Sequence, residues 1–261
     1  MEAYHNWVIA GSIGAAPISS TALQTIMEWP TVGPEGQALA PYFDYNGDNF
    51  YDPTVGDYPD FDLVGNRACS ARLKGDQAIW WVFNDKGNVH TETGGAAIGL
   101  EIQAQAFAFP TTDEINDMTF YTYKIINKSS FQINKTYFGV WVDADLGGYN
   151  DDYVGCDATN GFGYQYNGDA IDEGVSGVLG YGSNPPAVGV DFFEGPYADP
   201  NFIADPADST LNGVGYGDTV IDNERLGMER FIYYNNNTNP INGNPGIAGN
   251  FYNYLASKGR D

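Results

Sequence analysis

Apolar and polar residues alternate with the period of a strand through the middle of this chain. Gln77-Ala-Ile-Trp-Trp-Val-Phe83 reads as a strand and is closed by the turn Asn84-Asp-Lys-Gly87. The stretch 98–109 is longer. Ile98, Leu100, Ile102, Ala104 and Ala106 fall on one face, which should meet a core, and Glu101, Gln103 and Gln105 on the other. Further strands are expected at 118–126, 136–142, 161–166, 187–193 and 230–234. Trp80 and Trp81 are adjacent, so one ring should enter a core and the other the far face.

Helical periodicity is scarce. Ser19-Ser20-Thr21 ahead of Leu23, Ile26 and Met27 predicts a short capped helix that ends by Pro30. With no crossover helices to build a parallel sheet, the pattern predicts an all-β fold. The expected form is a β-sandwich of about seven or more strands, with one or two short helices and long Gly/Pro/Asn-rich loops. The stretches 174–186, 194–220 and 235–250 are too long for plain hairpins and read as packed loops or covers for sheet edges. The expected organisation is one β-rich domain over 1–261. It comprises a helix and acidic loop (1–66), a β core (75–193) and an irregular cover (194–261). Its ends suggest a piece of a larger secreted protein.

Charge narrows the functions. Lys+Arg total 11 against Asp+Glu 34, a net charge of −23. Nucleic-acid binding and a basic membrane-surface mode are excluded, because both need a basic face. No apolar run has the length of a membrane-spanning helix. Aromatic residues make up 15% of the chain, which argues against disorder. The acid excess is 24 Asp to 10 Glu, joined by 24 Asn. Short-armed oxygen donors beside glycine suit turns, and they also suit Ca²⁺, which gathers six to eight oxygens.

Three acidic stretches are candidate ion sites. Asp44, Asn46, Asp48 and Asp52 stand at positions 1, 3, 5 and 9 of a loop, with the Phe50 carbonyl at position 7, as in the first half of an EF-hand loop. Glycine sits at position 4 instead of 6, and Val55 replaces the closing acid, so Asp57 or Asp60 would complete the shell. The bland alternative is a loop wound by Asx turns. In the second stretch, Asp143 and Asp145 are followed by Asp151, Asp152 and Asp157, five carboxylates that repel unless solvated or bridged. The third, Asn167-Gly-Asp169-Ala-Ile-Asp172-Glu173, could lend oxygens to the second. Ca²⁺ is the expected cofactor for these sites.

Other chemistry lacks its parts. His90-Thr-Glu92 has the spacing of a zinc deaminase motif without the matching P-C-x-x-C. The second histidine is His5, and no G-x-S-x-G elbow exists. Gly213, Gly215 and Gly217 lack the strand and helix of a nucleotide loop. Cys69 and Cys156 leave open one disulfide or two thiols. A hydrolase or lyase would need two facing carboxylates in a cleft, with Asp143 opposite Asp172 or Glu173 as the candidates. A carbohydrate-binding module would show a surface row of coplanar aromatics.

Several motifs together resemble a known family. They include Glu2-Ala-Tyr-His-Asn-Trp7, Asp44-Tyr-Asn-Gly-Asp48, Lys74-Gly-Asp-Gln-Ala-Ile79, Phe83-Asn-Asp-Lys-Gly87, Tyr137-Phe-Gly-Val-Trp-Val-Asp-Ala-Asp-Leu146 and Asp151-Asp-Tyr-Val-Gly-Cys-Asp157. The chain resembles an uncharacterised family of large secreted Bacteroidetes surface proteins that commonly end in a type IX secretion sorting domain or a gliding-motility-associated C-terminal domain. The resemblance implies export to the cell surface or medium and implies no activity. The expected protein is a calcium-stabilised, non-enzymatic extracellular module with an adhesive or structural role. Its expected partners are a cell-surface glycan or protein.

Overall fold

The computed structural model describes residues 8, 18–34, 36–61, 75–197, 225–239 and 242–256. His5, Cys69 and the 213–217 glycines lie outside them, as does most of the expected cover between 198 and 224. Among the described residues the fold is all-β. Ten strands pair antiparallel in four sheets, with one short α-helix before the first strand and one after the last. The chain divides into two compact units, Met1–His90 with Ala96–Asn134, and Thr91–Gly95 with Lys135–Asp261. The division falls inside the stretch 75–193.

The first unit opens with α1 (Ser20–Met27). The Ser19 hydroxyl accepts from Ala22 N at 3.2 Å and caps it, and Ile26 is buried. Two short strands, β1 (Tyr42–Phe43) and β2 (Tyr58–Pro59), hold the ends of the first acidic loop together. Then β3 (Gln77–Asn84), β4 (Leu100–Ala108) and β5 (Thr119–Asn127) form a meander with β4 at its centre.

The two tryptophans split between faces as expected: Trp80 meets Trp29, which stacks on Phe61, while Trp81 faces Ala104 across the ladder. The burial of β4 departs from its pattern. Gln105, expected in solvent, is fully buried on the Trp80 side, where Phe107 stacks on Phe120. The opposite face leaves Ile79, Phe83, Tyr121, Tyr123 and Ile125 between 39% and 57% exposed. A central strand is shielded by both neighbours, so alternation alone does not fix which side is inner.

The second unit is built on β6 (Asp152–Asp157), β7 (Phe162–Asn167) and β10 (Ala187–Asp191), ordered β10-β7-β6. The two-residue strands β8 (Ile171–Asp172) and β9 (Gly182–Ser183) pair beside them in sequence. The helix α2 (Ala248–Leu255) lies within the expected cover.

The strands expected at 136–142 and 230–234 are not formed. These segments meet through side chains, with Trp141 Nε1 donating to the Tyr234 hydroxyl at 2.7 Å. Both pack on α2: Tyr137 is edge-on to Tyr252, Tyr234 is tilted against Tyr254, and a Cβ on Gly139 would lie 2.6 Å from Leu255 Cδ2. Alternation here falls on a largely exposed extended chain, and side-chain contacts with the helix take the place of a ladder.

Cys156 is a free, exposed thiol. A thiol-reactive probe should label it in the native protein without prior reduction; the same site blocked until reductant is added would show a disulfide instead.

Candidate metal centre

The β6–β7 hairpin brings together carboxylates that are distant in sequence. Asp151 immediately precedes β6, and its carbonyl accepts from Gly168 N at 2.8 Å, which closes the open end of the hairpin. Asp169 follows in that turn, and its Oδ1 accepts from Ile171 N at 2.9 Å. Glu173 follows β8. One carboxylate oxygen from each of Asp151, Asp169 and Glu173 lies within 4.8 Å of the other two, a group that could hold a metal ion. Asp151 is half-buried and the others are exposed. The one ion pair formed among the described residues, Lys128 with Glu101, lies elsewhere. Three carboxylates at this separation repel unless water or a cation intervenes.

Asp172, the last residue of β8, is buried where Glu173 is exposed. It is 2% exposed, and its two oxygens accept from Gly148 N at 2.8 Å and Tyr181 N at 2.7 Å. Gly147 and Gly148 make the approach possible, since a Cβ on Gly147 would lie 1.9 Å from Asp172 Oδ2. Asp172 is thereby closed off from any substrate, which removes it from the acid pair that a hydrolase would need.

Asp152 and Asn167 are register partners, so their side chains share the other face of the hairpin from Asp151. Asp152 Oδ2 accepts from Leu146 N and Gln165 Nε2, while its Oδ1 is buried without a partner. Asn167, 7% exposed, uses its amide nitrogen on the Asp169 and Ile171 carbonyls and leaves Oδ1 buried without a donor.

The five acids of the second stretch do not share one centre. Asp151 joins the cluster. Asp152 and Asp157 stand at opposite ends of β6, about 16 Å apart at the rise of a strand. Asp157 instead caps the β6–β7 turn, accepting from Thr159 N, Asn160 N and Asn160 Nδ2. The Asn160 amide, then its backbone N–H, hold the Asp157 carboxyl below its usual range. Asp143 and Asp145 are exposed and outside the cluster. Asp169 and Glu173, named in sequence only as lenders of oxygen, are two of its three members.

The first acidic loop is wound by Asx turns. Asp44 accepts from Gly47 N at 2.7 Å and Asn49 N at 2.8 Å, Asn46 from Asp48 N, and Asp48 from Phe50 N. Asp52 is turned onto Thr54, whose hydroxyl, followed by its N–H, lowers the Asp52 pKa. Asp44, Asp48 and Asp52 therefore do not gather around a point, and Phe50 is 74% exposed. Asp57, one of the two acids expected to complete an ion's shell, instead closes the loop through backbone N–H groups. Fully buried, it accepts from Tyr45 N and Asp52 N and ties the loop's two ends together. His90 faces the Asp85 carbonyl at 2.8 Å, in no cluster of metal-ligating side chains.

No helix among the described residues is long and apolar enough to cross a membrane. Compared with models of protein families, with curated proteins and with solved structures, the chain matches none of them.

Proposed function

We propose that this chain is a calcium-stabilised, non-enzymatic β module of a secreted or cell-surface protein, with an adhesive or structural role. The observation that carries the reading is the convergence of Asp151 before β6, Asp169 after β7 and Glu173 after β8 to within 4.8 Å. An all-oxygen, carboxylate-rich set suits a hard cation, and its exposure leaves room for the waters that would complete six to eight ligands. With a net charge of −23, bound divalent ions would also relieve self-repulsion. The sequence resemblance to exported surface proteins supports an extracellular setting, where open, weak Ca²⁺ sites fill.

Millimolar Ca²⁺ is expected to raise the melting temperature by several degrees over protein in EDTA with NaCl at matched ionic strength. A hundredfold excess over Kd corresponds to about 2.7 kcal/mol. The matched salt separates a specific site from general screening. Asp151→Asn and Glu173→Gln should each abolish the calcium-specific part. Superimposable melting curves in Ca²⁺ and NaCl would overturn the reading.

A further inference from the structure

One face of the sheet β6–β7–β10 is paved with aromatic rings. The register sets its side chains in three rows across the strands. These are Tyr153, Tyr166 and Ala187; then Gly155, Tyr164 and Gly189; then Asp157, Phe162 and Asp191. Alternation turns all nine positions to the same side. Tyr164 has glycine on both sides, so nothing props its ring upright. A Cβ added to Gly155 would lie 2.5 Å from Tyr164 Cζ, one on Gly189 2.3 Å from Phe162 Cε2, and one on Gly168 2.4 Å from Tyr153 Cε2. Each of these rings fills the space above a glycine and lies down on the backbone.

The rings follow one another without a break. Tyr153 to Tyr166 is 6.2 Å between centroids at 28°, Tyr166 to Tyr164 is 6.0 Å at 36°, and Tyr164 to Phe162 is 5.5 Å at 28°. Tyr153, Tyr164 and Tyr166 are 59%, 37% and 42% exposed. The opposite face is covered over β7, where Phe231 lies over Gly163 and Gln165 donates to the Ala144 carbonyl, while Val154 and Cys156 on β6 stay exposed.

The geometry points to this pavement as a binding face for an uncharged glycan chain. The electrostatics of the face select the ligand. Aromatic faces are electronegative and attract the electropositive C–H side of a sugar ring. The polar groups around them are tyrosine hydroxyls and the Asp191 carboxylate, which accept hydrogen bonds from sugar hydroxyls; Asp157 is engaged with its own turn. None of the nine positions is a lysine or arginine, and a net charge of −23 repels anionic chains. Held down over glycine, the rings lose little freedom on binding. None of Asp151, Asp169 and Glu173 is among the nine positions, although the Tyr153 ring over Gly168 borders the cation site, so the EDTA comparison below separates the two.

Native gels cast with hydroxyethylcellulose, galactomannan or arabinoxylan test this on the full chain. Retardation is expected in at least one gel, equally in EDTA and in Ca²⁺. Tyr164→Ala and Tyr153→Ala should each weaken affinity about tenfold or more. Tyr153 is mostly exposed, so its variant stays informative if Tyr164→Ala fails to fold. Tyr121→Ala on β5, 57% exposed, should bind as the parent does. Absence of retardation in all three gels, or retardation equal across parent and variants, would overturn the proposal. So would loss of retardation in EDTA, which would move binding to the carboxylate cluster. Retention on polylysine alone would also overturn it and assign the face to a cationic peptide.

Discussion

Asp172→Ala is expected to destabilise the unit that carries it by about 3–5 kcal/mol. The carboxylate is 2% exposed and is the acceptor for two backbone N–H groups, Gly148 and Tyr181. Alanine leaves the buried Gly148 N–H and the part-buried Tyr181 N–H without this acceptor, at about 1–3 kcal/mol each, and opens a small cavity besides. Asp172→Asn keeps the volume but turns an amide N–H₂ toward a backbone N–H, so it should recover only part of the loss. Gly148→Ala works on the same contact from the other side, because its Cβ would meet the Glu173 carbonyl at 1.8 Å. Since the two sites share one contact, the double variant should cost less than the sum of the singles. Urea denaturation followed by circular dichroism reads the effect. An Asp172→Ala midpoint within about 0.5 kcal/mol of the parent would mean that these N–H groups find water.

What the sequence made legible was local and periodic. The helix at 20–27 announces itself by a Ser cap ahead of residues spaced three and four apart. The strands at 77–84, 100–108, 119–127, 162–167 and 187–191 show alternation bounded by turn residues. β6 escaped because its ends are Asp152 and Asp157, so a six-residue strand looked like the middle of an acidic loop. Its interior Tyr153 and Val154, both with strand propensity, were the available signal. α2 was hidden in an Asn/Gly-rich stretch, where only Phe251, Tyr254 and Leu255 keep helical spacing. The candidate site was half legible. Composition announces oxygen donors, but which of them converge depends on the hairpin register and on the Gly168 to Asp151 closure. Neither leaves a short-range trace. The same limit applies to Asp57, expected on an ion and found bonded to two backbone N–H groups.

Asp85→Ala is expected to cost about 2–4 kcal/mol in the first unit, with a pH dependence that identifies the cause. β3 ends at Asn84 and β4 begins at Leu100, so no tight turn joins them. Asp85 serves instead: its carboxylate accepts from three successive backbone N–H groups, Ile98, Gly99 and Leu100. Gly99 has φ +83°, and a left-handed residue within such a run curves the N–H groups into a concave anion cradle. A substituted Gly99 would be strained and would crowd Ser129, whose Cβ lies 3.0 Å from the added atom. Burial raises the Asp85 pKa, but the N–H bonds from Ile98, Leu100 and Gly99, with that of Asp85 itself, outweigh it and bring the carboxyl below 3.8. A depressed folded pKa adds stability that is fully present above the unfolded value and is lost as pH falls through the folded one. The parent should therefore exceed Asp85→Ala by a constant margin from neutral pH down to about 5, and the margin should shrink below about 4 as the carboxylate protonates. Asp85→Asn, which keeps one acceptor oxygen and no charge, should fall between them and lack the acid-dependent part. Denaturation midpoints for the three proteins between pH 3 and 7 check this. A margin that does not change with pH would show that Asp85 acts by packing and not as an anion in its cradle.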